Sequence, residues 1–94
     1  MMEALLWFAR EMGLKLQVND WKEPWDCETD VSLLLQLRGE LRELTAAIRA
    51  DNHMAVIEEA ADVANYAMML ADNHRTILED AIYDAVPTEE ASDG

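Results

Sequence analysis

Scarcity of helix breakers limits this chain more than any other feature. Glycine and proline supply five of its 94 residues, and the stretch IEEAADVANYAMMLAD, Ile57 to Asp72, contains neither. No strand-like alternation and no internal repeat interrupt the helical spacing of apolar residues. The fold class read from this is all-α, an antiparallel helical bundle.

The chain divides as follows. Residues 3–18 read as a first helix, with Leu5, Phe8, Met12 and Leu16 at helical spacing. Residues 19–30, NDWKEPWDCETD, hold turn formers and Pro24 and read as a loop. Asp30 is the expected N-cap of a second helix over 31–50, whose stripe of Leu34, Leu37, Leu41, Leu44 and Ile48 is expected to bury one face. A third helix is expected from Met54 to Asn73, capped by Asp51, Asn52 or His53, with a short fourth around Thr76 to Ala85. Residues 1–86 thus read as one helical domain, and PTEEASDG, residues 87–94, as a polar, disordered tail.

Composition then narrows the function. With 20 acidic against 7 basic side chains and a formal net charge of −13, bare nucleic acid is not an expected ligand, because phosphate contacts need lysine and arginine. No stretch approaches the roughly 20 apolar residues that span a bilayer, so no membrane partner is expected. The N-terminus lacks a signal-peptide pattern and Cys27 is the single cysteine, which together fit a cytoplasmic protein. The third helix is apolar on too many sides for a few short neighbours to cover, so a homo-oligomer, dimer or tetramer, is expected.

The acids are sorted. Around the second helix Glu40 and Glu43 share a flank with Leu33, Gln36 and Ala47, while Arg38, Arg42 and Arg49 occupy the opposite one. A salt-bridge lattice would have mixed the signs. On the third helix Glu58, Asn65 and Asp72 form a narrow solvent-facing stripe, whereas Glu59 and Asp62 lie at the edge of the apolar surface, in line with Tyr66. Each helix therefore offers a carboxylate pair at i, i+3, one turn apart on one face. Two antiparallel helices would bring the four acids together, where they repel unless a cation joins them. Oxygen-only ligands suit Mg²⁺ or Mn²⁺. Cys27, His53 and His74 have no zinc spacing, and neither acid pair is followed by the histidine of a di-iron site.

Glu40-x-x-Glu43, fifteen residues, then Glu59-x-x-Asp62 resembles the signature of the MazG-like all-α nucleoside triphosphate pyrophosphohydrolases. LRGELRELTAAI, residues 37–48, looks like the first metal helix of the short, phage-type members, and EAADVANYAMMLADN, residues 59–73, like the second. Upstream, the spacing of Lys15-Leu16, Asn19, Lys22 and Trp25 resembles a segment those members carry. The resemblance covers roughly residues 5–75. It implies that Glu40, Glu43, Glu59 and Asp62 are metal and catalytic residues. They would hold Mg²⁺ (Mn²⁺ as an alternative) while water attacks the α-phosphorus of a (d)NTP, giving (d)NMP and pyrophosphate.

The same resemblance implies that Lys15 and Lys22 meet phosphate. It makes Asn19, Trp25, Asn65 and Tyr66 candidates for base and sugar contacts. For Trp25 a loop anchor is the competing role, for Tyr66 packing, and for Lys15 simple solvation. Two alternative functions stand beside the hydrolase. One is an acidic nucleic-acid mimic or inhibitor that binds a basic partner; the other is a catalytically inactive MazG-like protein.

Overall fold

The computed structural model describes residues 1–19 and 24–85, with the side chains of Asn19 and Ala85 outside the description. All regular structure among these residues is helical: α1 (Met2–Asn19), a 3₁₀ turn (Trp25–Cys27), α2 (Asp30–Arg49) and α3 (His53–Ala85). The polar segment 87–94 and the side chains of Trp21 and Lys22 lie outside the described residues.

α2 begins one residue earlier than its sequence indicates. Thr29, not Asp30, is the N-cap: its backbone is extended and its hydroxyl accepts the Ser32 N–H at 3.0 Å. Asp30 is the first helical residue and directs its carboxylate to His74 Nε2 at 2.8 Å. At the other end the Asp51 N–H donates to Ile48 O and the Asn52 N–H to Ala47 O, the two bonds of a Schellman closure. Asp51 takes the left-handed position usually given to glycine, with φ 53°. Asn52 then caps α3, its Oδ1 accepting the Ala55 N–H at 3.1 Å.

α3 is one helix of 33 residues, about 50 Å long, not the two separate helices expected. Neither glycine nor proline occurs within it. Across the expected break Thr76 Oγ1 donates to Asp72 O, and Arg75 pairs with Asp72 and with Glu79. Those i, i+3 and i, i+4 contacts carry the helix through Asn73 and His74.

α2 and α3 form an antiparallel hairpin, closed by residues 50–52 at one end and by Asp30–His74 at the other. α1 runs antiparallel along α3, with Met12 and Lys15 facing Asn65 and Asp62. Asn65 Nδ2 donates to Met12 O at 3.0 Å and ties α1 down. The core is small: Leu33, Ala47, Ala61 and Met69 are the buried hydrophobics among the described residues.

The largest departure from expectation is the rotation of α2. The leucine stripe does not face α3; Leu34, Leu41 and Ile48 are exposed and Leu37 and Leu44 half-buried. Leu33 and Ala47 pack inward instead, which turns the helix by roughly 90° and brings the Glu40 flank against α3. Among the described residues no helix is long and apolar enough to cross a membrane.

Candidate metal centre

The turned α2 points Glu40 at the N-terminal third of α3, where Glu59 and Asp62 stand one turn apart. One carboxylate oxygen from each of the three lies within 4.8 Å of the other two. Oxygens sharing one Mg²⁺ at about 2.1 Å sit no more than about 4.2 Å apart, so small side-chain rotations would suffice to make them common ligands. Glu40 and Glu59 are half-buried and Asp62 is buried, which keeps the cluster partly out of water.

Such a cluster must find positive charge. Two sources are in place. Lys15 Nζ, reaching over from α1, sits 3.4 Å from Asp62 Oδ2. A proton is the second: the Glu40 carboxyl is pushed up to about 7, first by burial, then by its hydrogen bond with Glu59 and by repulsion from Asp62, Glu59 and Glu43. Lysine and proton together supply two positive charges, which is what one divalent cation would bring. Asp62 Oδ1 remains buried with no hydrogen-bond partner among the described residues. An all-oxygen donor set with one orphaned, buried carboxylate oxygen fits Mg²⁺ or Mn²⁺.

The other sequence-derived residues divide by distance from this cluster. Glu43 shares the Glu40 flank but is exposed and outside the three-oxygen group; it acts on Glu40 through its charge. Tyr66 is half-buried beside the cluster, and burial followed by the charges of Glu40, Asp62 and Glu28 raises its phenol pKa. Asn65 does not lie on a solvent-facing stripe as its spacing indicates. It is buried beneath α1, its amide N–H engaged by Met12 O and its Oδ1 unpartnered among the described residues. Glu58, on that stripe, is exposed.

Trp25 is an anchor here. Its Nε1 donates to Asp72 Oδ2 at 3.0 Å and its carbonyl accepts from Asn73 Nδ2 at 3.1 Å. Asp72 is ten residues beyond Asp62, about 15 Å along the helix. The Asp72 carboxyl is held low by Arg75 and then by Trp25. The Asn19 side chain and Lys22 lie outside the described residues. Glu28 also belongs to this neighbourhood: its charge reaches Tyr66 and its Oε2 accepts from Ser32 Oγ at 2.7 Å. Its one local signal is the i, i+4 spacing to Ser32.

Comparison of the chain with protein-family models, with curated proteins and with solved structures finds no match.

Proposed function

We propose that this chain is a Mg²⁺-dependent nucleotide pyrophosphohydrolase of MazG-like type, converting (d)NTP to (d)NMP and pyrophosphate. The observation that carries the reading is the convergence of Glu40, Glu59 and Asp62 from two helices, with Asp62 buried and one of its oxygens unpartnered. When bound, Mg²⁺ would neutralise triphosphate charge and lower the pKa of water at the site.

The chain's own groups do the rest. Glu59 and Asp62 would supply ligands from one helix face, and Glu40 would complete the set from the other. The Glu40 carboxyl, pushed up to about 7 by burial and its acidic neighbours, would give up its proton to the same cation that the cluster would hold. Lys15 neutralises Asp62 while no cation is bound. With Asp62 given over to a cation, the Lys15 ammonium would be free to meet a phosphate oxygen. Tyr66 borders the same acids and offers its hydroxyl and ring to the nucleotide.

The direct test is a panel of single NTPs and dNTPs with Mg²⁺, read by pyrophosphate release. At least one substrate should turn over, and Asp62→Asn should abolish turnover with the helical CD signal unchanged. No pyrophosphate from any of them would overturn the reading. An acidic mimic is favoured only by the exposed acids, such as Glu58, Asp80 and Asp84. It would instead form a salt-sensitive complex with a basic protein and ignore Mg²⁺.

A further inference from the structure

The second half of α1 lies over the acid cluster on very few attachments. Among the described residues two polar contacts tie α1 to α3, and they stand one turn apart on both helices. Asn65 Nδ2 donates to Met12 O at 3.0 Å, and Lys15 Nζ sits 3.4 Å from Asp62 Oδ2. The two contacts differ in kind. Asn65 is buried and holds a backbone carbonyl, so its bond fixes α1 at Met12 whatever the charge of the cluster. Lys15 holds a carboxylate that belongs to the candidate metal set.

Gly13 lies between them. It has no packing reason to be glycine, since a Cβ at this position would meet nothing within 4 Å. A glycine inside a helix makes that stretch easier to open than alanine would. Beyond it Leu14, Gln17 and Val18 are exposed, and Lys15 and Leu16 are half-buried. Among the described residues no other hydrogen bond or ion pair joins residues 13–18 to another element. The segment is thus pinned at one end, weakened beside the pin and latched by one ammonium.

Asp62 cannot hold both partners at full strength. With Lys15 against one of its oxygens, a divalent ion bound to the carboxylate would stand beside the ammonium and repel it. The competition is reciprocal: whatever factor Lys15 takes from the cation's affinity, the cation takes from the docking of Lys15.

We propose that residues 14–18 form a cation-released cover. Lys15 latches it to Asp62 in the cation-free chain; a divalent ion at the cluster lets it swing at Gly13 while Asn65 keeps Met12 in place. The proposal rests on reading Glu40, Glu59 and Asp62 as a divalent-cation site. Its consequence is an order of events. Without the ion, Lys15 shields Asp62. With the ion, the same segment opens the α1 side of the cluster to an incoming anion and carries Lys15 out to meet it.

Hydrogen exchange resolved by mass spectrometry reads the latch, with Mn²⁺ as the probe. Saturating Mn²⁺ should speed exchange of amides 14–18 about tenfold and leave amides 6–11, on the other side of the pin, unchanged. Cation-free Lys15→Met should already exchange at the faster rate and respond no further to Mn²⁺. Gly13→Ala should slow opening of the segment about fivefold. Asn65→Ala, which removes the pin, should spread the Mn²⁺ response to amides 6–11. CD on each variant confirms that it is folded. Mn²⁺ that binds by titration yet leaves amides 14–18 as protected as before overturns the proposal, as does a wild-type response that spans all of α1. Failure of Mn²⁺ to bind would sink the metal reading and the release with it. Slow exchange in cation-free Lys15→Met would sink the latch alone.

Discussion

The two flanks of α2 reverse the usual sorting of residue types. The flank that packs on α3 carries Leu33, Gln36, Glu40 and Ala47, while the flank turned to solvent carries Leu34, Leu41 and Ile48. Hydrophobic burial alone would choose the second flank for the core. That the first is inside means the acids are held at the helix interface. There they meet Lys15, a shared proton and, in the reading proposed above, a divalent cation. A carboxylate placed between helices is costly unless it is paired or protonated, and such clusters concentrate at functional sites. The leucines on the outer flank are correspondingly left exposed.

The strongest way to break this contrast is at the acids. Asp62→Asn should reduce pyrophosphate release at least about 1,000-fold, as expected when an interaction with the reacting metal is removed. Equal activity in the variant would return Asp62 to the role of ordinary buried polar residue.

Next is a pair of leucines one residue apart. Leu33 is fully buried and Leu34 is 49 % exposed. Leu33→Ala should lower stability by about 2–5 kcal/mol in urea unfolding. Leu34→Ala should cost less than about 1 kcal/mol. Equal losses at both positions would mean that α2 is not turned as described.

A smaller effect is expected at Lys15. Lys15→Met removes the ammonium that competes with a divalent cation for Asp62. Mn²⁺ affinity in the absence of nucleotide should then rise, by about tenfold if the competition is worth about 1.4 kcal/mol. Weaker Mn²⁺ binding in this variant would contradict the counter-ion role.

The gentlest probe is pH. The Glu40 carboxyl lies at about 7 in the fold against 4.5 for the ordinary group. Between those values the folded chain holds a proton that the unfolded chain has lost. The stabilisation from that proton is therefore complete below 4.5 and disappears as pH rises through 7. Unfolding midpoints should fall across this window, and Glu40→Gln should flatten the slope. Saturating Mg²⁺ should flatten it as well, because a bound cation needs Glu40 ionised.

Much of this was legible in the residues, and the remainder has identifiable causes. Few breakers and helical periodicity gave the helices, and the i, i+3 acid pairs gave Glu40, Glu59 and Asp62. The orientation of α2 was not legible, because Leu33, Gln36 and Ala47 define a second face whose small alanine permits close approach and whose acids disguise it. The polar line of Glu58, Asn65 and Asp72 points to an exposed Asn65, yet α1 lies over it and Met12 O takes its amide N–H. Continuity of α3 through Asn73 depends on Asp72–Arg75–Glu79 pairing, a side-chain contribution that breaker counting misses. Trp25 could have been an anchor or a stacker from sequence, since its partner Asp72 lies 47 residues away.

Calorimetric titration of Mn²⁺ into the nucleotide-free protein bears most directly on the central claim. Saturable binding to the wild type, with proton release near pH 7 and loss of binding in folded Asp62→Asn, is the expected result. Indistinguishable titrations of wild type and variant would contradict it, leaving Glu40, Glu59 and Asp62 as neighbours without a shared ion.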